Sequence, residues 1–169
     1  YGLPERFVLY LGTVEQRKNI ESLLRAYELW NPPDIAFVIA GKQGWGTPPK
    51  TSHKNVHYIN YVKREDKPAL YASAALFVYP SFYEGFGFPP LEALSQGTPV
   101  MVSHTSSMGE LFGDNALLID PWRPGELAEL LPEYLASHEV LHPQAKRIAF
   151  AQSFTWEKTV EQLKLCISS

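Results

Sequence analysis

The chain has 169 residues, 45% of them hydrophobic and 20% charged, which is enough for one domain with a sizeable core and too little for two ordinary ones. A formal net charge of −3 lacks the basic excess of a nucleic-acid surface. No apolar run approaches the ~18 residues of a membrane span, and the opening residues do not read as a secretory leader. The sole cysteine, Cys166, has no second cysteine for an internal disulfide, so a reducing, cytoplasmic setting is expected, with no nucleic-acid partner and no membrane contact from this domain. Because it opens at Tyr1 in what already reads as a strand entry, the sequence is expected to be a piece of a longer protein.

Short, continuous apolar runs alternate with amphipathic segments. Residues 7–11 form the first predicted strand, followed by Ile20, Leu23, Leu24 and Tyr27 at the one-face spacing of a helix. Further strands are expected at 35–40, 56–59, 76–79, 99–102 and 117–119. Helices are expected at about 64–72, at 89–96 and near 106–112. The last third reads as helical throughout. Pro124 suits a first helical position, Leu127, Leu130, Leu131 and Tyr134 share a face, and Pro132 is expected to break or kink that helix. Thr155 is a candidate N-cap for a final helix with Trp156, Val160, Leu163 and Ile167 on one stripe. The Gly- and Pro-rich segment 44–49 reads as a loop inside the domain.

Unbroken apolar strands separated by helices predict an α/β fold, a Rossmann-like doubly wound parallel sheet covered on both faces. Ligands of such sheets bind outside the carboxyl ends of the strands. The segments 12–19, 41–55, 60–64, 80–88 and 103–107 fall there, and they hold every motif of interest.

Gly12 and Thr13 end the first strand, and Arg17 and Lys18 stand just before the first helix. Cations at a helix start oppose its dipole by several tenths of a kcal/mol or so, which an anion such as a diphosphate would offset. The alternative is a pair of solvated basic residues on a loop. Farther on, Glu84 and Glu92 have seven residues between them, around Gly85-Phe86-Gly87-Phe88 and two prolines. That turn joins a strand to a helix start, a geometry that offers backbone amides to an anion. Pro89 and Pro90 lack an N–H, which leaves the amides of Gly87, Phe88 and Leu91. Glu92, placed by this pattern near the first helical turn, has the competing explanation of a helix-stabilising acid, and Glu84 that of an exposed loop acid. Ser103-His104-Thr105-Ser106-Ser107 either lines a site or caps a helix. His138 and His142 have helical spacing, but Pro143 follows and no third ligand is near, so no metal site is expected. There is no Asp-x-Asp pair, no G-x-G-x-x-G fingerprint and no P-loop.

In chain order, Leu11-Gly12-Thr13, Arg17-Lys18-Asn19, Val38-Ile39-Ala40-Gly41, Ala69-Leu70-Tyr71-Ala72-Ser73-Ala74, Pro80-Ser81-Phe82-Tyr83-Glu84-Gly85-Phe86-Gly87-Phe88-Pro89, Leu91-Glu92-Ala93, Gly97-Thr98-Pro99-Val100 and Asp120-Pro121 span nearly the whole chain. Together they resemble the donor-binding C-terminal domain of GT-B-fold retaining glycosyltransferases of the family-four group. The resemblance implies half of a two-domain enzyme whose N-terminal acceptor domain is absent here. It implies a donor in the form of a UDP-, GDP- or ADP-linked nucleotide sugar, with no cofactor and no metal. Lys18 and Arg17 match the basic pair on the diphosphate, Glu84 the acid facing the donor sugar, and Glu92 the acid on the ribose hydroxyls. The turn from Gly85 and Phe86 through Gly87 and Phe88 to Leu91 matches the loop against sugar and phosphates, and Val62 the place where the base meets backbone. Thr13 departs from the pattern, since many relatives carry arginine there. The implied activity is transfer of a mannosyl- or glucosyl-like sugar to a glycan or lipid-linked acceptor. A GT-B-fold epimerase, a glycan synthase and a non-catalytic nucleotide-binding domain are the alternatives.

Overall fold

A computed structural model of the chain describes residues 1–46, 49–51 and 53–168. The loop expected at 44–49 therefore falls in part on Thr47 and Pro48, outside the described residues. Six strands form one sheet: β1 (Phe7–Leu11), β2 (Ala36–Ala40), β3 (Val56–Ile59), β4 (Leu76–Tyr79), β5 (Val100–Ser103) and β6 (Leu117–Ile119). They pair in the order β3-β2-β1-β4-β5-β6, and every pair is parallel. The expected doubly wound sheet is thus observed. β1, β2, β4 and β5 are buried along their whole length, as continuous apolar runs require when helices cover both faces.

Among the described residues seven helices accompany the sheet: α1 (Ile20–Trp30), α2 (Lys67–Ser73), α3 (Phe88–Ser95), α4 (Ser107–Phe112), α5 (Pro124–Leu141), α6 (Gln144–Gln152) and α7 (Trp156–Ser168). A single 3-10 turn, Gln16–Lys18, precedes α1. The chain winds outward from β1 in one direction and from β4 in the other, so right-handed crossovers place their helices on opposite faces. α1 packs against α5, whereas α3 packs against α2 and α6. The winding reverses between β1 and β4, and it is outside the carboxyl ends of strands at such a reversal that sheets of this kind bind ligands.

Two helix expectations need correction. α2 begins at Lys67 and not at residue 64, because residues 63–66 close a turn first and Pro68 then fits the opening helical turn. Pro132 neither ends α5 nor divides it. Its ring forfeits one intrahelical bond, and the burial of Leu127, Leu131 and Tyr134 on the same helix offsets that loss. The break comes at His142, which precedes Pro143 and has left the helical region at φ −135°, ψ 80°. In α7 the anticipated stripe is present, and Trp156, Leu163 and Ile167 are 75%, 56% and 84% exposed. Thr155 caps that helix through a bond from the Lys158 amide to its hydroxyl. Among the described residues no helix is long and apolar enough to cross a membrane.

Candidate functional site

β1 and β4 deliver the central residues to that reversal of the winding. After β1 the chain makes the 3-10 turn and stops at Asn19, whose left-handed φ of 55° separates the turn from α1. Asn19 tolerates this conformation and uses its side-chain amide to bond the carbonyls of Pro80 (3.2 Å) and Pro121 (2.7 Å), which ties the turn to the loops after β4 and β6. The turn buries Lys18 and leaves Arg17 at the rim, with side chains 9% and 44% exposed.

Lys18 Nζ donates to Glu84 Oε1 at 2.5 Å and to the Tyr79 hydroxyl at 2.6 Å. Arg17 reaches the same Glu84 oxygen at 3.0 Å, the Tyr83 carbonyl at 2.7 Å and Glu15 at 2.7 Å. The predicted trio of Lys18, Arg17 and Glu84 is therefore one cluster. The Glu84 side chain is only 11% exposed, and desolvation alone would raise its pKa. The hydrogen bond and charge of Lys18, followed by Ser81 and Arg17, outweigh that penalty and hold the carboxyl below its usual range. The Ser81 hydroxyl is fully buried and completes no directed hydrogen bond, so it acts on Glu84 as a nearby dipole.

The hydroxyl-rich loop after β5, left open between lining a site and capping a helix, holds the Glu84 segment. Ser103 donates to the Ser81 carbonyl, Thr105 to the Phe82 carbonyl at 2.9 Å, and Ser107 to the Glu84 carbonyl at 2.9 Å. Ser106 accepts from the Glu84 amide at 3.0 Å and sits at φ 54°, an unusual conformation for serine that this contact helps maintain.

Glu92 is held elsewhere. It lies in the second turn of α3, not the first, because that helix starts at Phe88. Its carboxylate takes a 2.8 Å bond from Tyr71 and a 3.7 Å contact from Lys67, both on α2. The Leu91 amide is a second correction, since it closes the first turn onto the Gly87 carbonyl at 3.3 Å and is not free for a phosphate. Gly87 must be glycine, with φ 96° and a Cβ position that would meet Met108 Sδ at 2.6 Å. Gly85 differs: an added Cβ there would meet nothing within 4 Å, so packing does not require glycine and space lies open beside that backbone. At Gly12 a Cβ would crowd the Tyr10 hydroxyl, and the Thr13 carbonyl accepts a 3.0 Å bond from that same hydroxyl. Val62 is buried in the core, beside Tyr61, whose ring lies 4.8 Å from Lys42 Nζ.

Phe86 and Phe88 begin an aromatic chain. Their rings are 4.9 Å apart, Phe86 meets Phe154 edge-on at 5.7 Å, and Phe154 meets Phe150 at 5.1 Å. The join between α6 and α7 thus braces the loop expected to meet a donor. Sequence reasoning missed Tyr79, Phe154 and the part played by Asn19. Only the position of Tyr79 as last residue of a strand pointed toward the site. Among the described residues no three His, Cys, Asp or Glu side chains are grouped to hold a metal ion.

Similarity to known proteins follows the same outline. The chain is 38% identical over 168 residues to O-antigen chain mannosyltransferase B of Escherichia coli, covering 92% of this chain and 44% of that protein. Sucrose-phosphate synthase from Thermosynechococcus elongatus superposes with a TM-score of 0.77 at 26% identity, over 98% of this chain and 46% of that one. Anabaena HepE in complex with UDP and glucose superposes at 0.79 and 22% identity, over 96% and 48%. The chain thus spans about half the length of these relatives. Residues 2–152 match the family described as glycosyl transferases group 1, and this chain belongs to that family.

Proposed function

We propose that the chain is the donor-binding half of a retaining, metal-independent glycosyltransferase. In this reading it binds a nucleoside-diphosphate sugar for transfer of a mannosyl- or glucosyl-like residue to a glycan or lipid-linked acceptor in the cytoplasm. The observation that carries this reading is the buried Lys18 ammonium paired with Glu84 at the reversal of the winding, with Arg17 at its rim. The mannosyltransferase relative supports the sugar, and HepE with its UDP and glucose supports the donor class.

The chemistry follows from charge. Cleavage of the sugar–phosphate bond builds negative charge on the departing diphosphate. Lys18 and Arg17 supply fixed positive charge where it develops, which lowers the barrier without reorganisation. Glu84 orients Lys18 and presents a carboxylate toward the donor sugar. Glu92, steadied by Tyr71, is assigned to the ribose hydroxyls. An N-terminal acceptor domain is assigned to the part of the relatives that this chain does not span, with the exposed stripe of α7 as its contact.

Calorimetric titration of the chain with UDP, GDP and ADP, with and without EDTA, tests the reading. Selective binding that survives EDTA and disappears in Lys18→Ala is expected. Binding that requires a divalent ion would overturn metal independence, and no binding to any of the three would overturn the donor site.

A further inference from the structure

We infer that Tyr79 is a positioning residue for Lys18: its phenol oxygen aims the ammonium at the donor diphosphate and keeps it from collapsing wholly onto Glu84. The inference rests on the donor-site reading above and adds a residue to it.

Tyr79 is the last residue of β4 and is 1% exposed. Its ring is clamped between Tyr10, stacked at 5.8 Å with planes 12° apart, and Phe77, stacked at 5.9 Å and 21°. Parallel packing on both neighbours restrains the ring and so limits the places its oxygen can take. Lys18 Nζ meets that oxygen at 2.6 Å, with the ring centre 4.9 Å away. Phenylalanine would keep both stacks, and a hydroxyl buried this deeply is unfavourable unless bonded. Lys18 supplies the donor to that oxygen, with Glu84 and Ser81 beside the same hydroxyl.

An ammonium has three N–H donors on a flexible stem. One is directed to Tyr79 and one to Glu84, and these two bonds at 2.6 and 2.5 Å set the direction of the third. Tyr79 serves in its neutral form: burial, then the Glu84 charge, keeps the phenol protonated well above neutral pH. A neutral partner can orient the ammonium without cancelling its charge, whereas a second carboxylate would compete with the incoming phosphate. Tyr10 and Phe77 hold Tyr79 as Tyr79 holds Lys18.

Tyr79→Phe is the test, with Tyr134→Phe as a control that removes a buried hydroxyl on α5 instead. Affinities for UDP, GDP and ADP are measured beside those for uridine, guanosine and adenosine. The nitrogen-15 resonance of the Lys18 ammonium, assigned by its loss in Lys18→Arg, is followed in the ligand-free chain. Tyr79→Phe is expected to weaken diphosphate binding about tenfold, the size of one charge-assisted hydrogen bond. Nucleoside binding should stay unchanged, and exchange of the Lys18 ammonium protons should speed up. A tyrosine that merely fills space would move neither the diphosphate-to-nucleoside ratio nor the lysine resonance. Wild-type protein that binds UDP, GDP or ADP while Tyr79→Phe binds it equally well overturns the inference alone. Wild-type protein that binds none of the three overturns the donor-site reading and this inference with it.

Discussion

Lys18 and Glu84, 66 residues apart in sequence, meet at 2.5 Å where the loops after β1 and β4 converge. Both side chains are nearly buried, at 9% and 11% exposure, so neither charge is well solvated without the other. Replacing Lys18 by Met leaves Glu84 with Arg17 as its remaining cationic partner. Loss of one member of a buried pair costs several kcal/mol, and Arg17 should limit the loss here to roughly 2–3 kcal/mol. Urea denaturation measures that loss. In the same variant nucleoside-diphosphate affinity should fall by at least ~10-fold, the loss of one bond to a charged group. Unchanged affinity would separate Lys18 from any diphosphate.

The pair also predicts an acid-side pH dependence. The Glu84 pKa is lowered in the fold relative to its ordinary 4.5, because Lys18, Ser81 and Arg17 together outweigh its desolvation. A depressed carboxylate contributes stability that is fully present above the ordinary pKa and is lost as pH falls through the folded one. The stability difference between wild type and Glu84→Gln should therefore be constant near neutrality and shrink below 4.5. Thermal melts of both proteins across that range measure it, and a difference that does not change with pH would contradict the assignment.

Phe154 joins the start of α7 to the loop through Phe86 and Phe88. The Phe154→Ala substitution removes edge contacts worth about 1 kcal/mol, which lowers the melting temperature by about 2–4 °C in a chain of this size. Amide exchange at Gly87 and Phe88 should rise while the β1 and β2 amides stay protected, and Phe154→Leu should be intermediate. Equal protection of the loop in wild type and Phe154→Ala would show that the aromatic chain does not brace it.

Arg147 is 2% exposed and fastens α6 to the rest of the fold. It donates to the Gly97 carbonyl at 2.9 Å, to the His142 carbonyl and to Glu139 at 2.6 Å. Arg147→Leu keeps volume but strands two carbonyls at about 1–3 kcal/mol each, so a loss of about 3 kcal/mol is expected in chemical denaturation. Glu139 is 57% exposed at its side chain, so Glu139→Gln should cost far less. Comparable losses in the two variants would mean that the carbonyls are not what Arg147 satisfies.

Strand positions and the parallel sheet were legible because burial on both faces requires unbroken apolar runs, and 7–11, 56–59, 76–79 and 117–119 coincide with observed strands. Helix ends were less so. Pro68, Pro132 and Pro143 look alike as letters, and only their surroundings decided that the first opens a helix, the second is tolerated inside one, and the third stops one.

The residue types at the strand ends by themselves determined which loops carry charge and glycine, and hence that Lys18, Arg17 and Glu84 lie at the same, carboxyl end of the sheet. The tertiary structure decided what each residue touches. It gave Lys18 a tyrosine as well as a carboxylate, turned Glu92 toward α2, consumed the Leu91 amide inside its helix, and set Ser106 and Ser107 on the backbone of Glu84. These contacts join residues 21 to 66 positions apart or depend on where a helix begins. Local periodicity reports which side of an element is buried, whereas the partner of a polar group depends on how separate elements pack together.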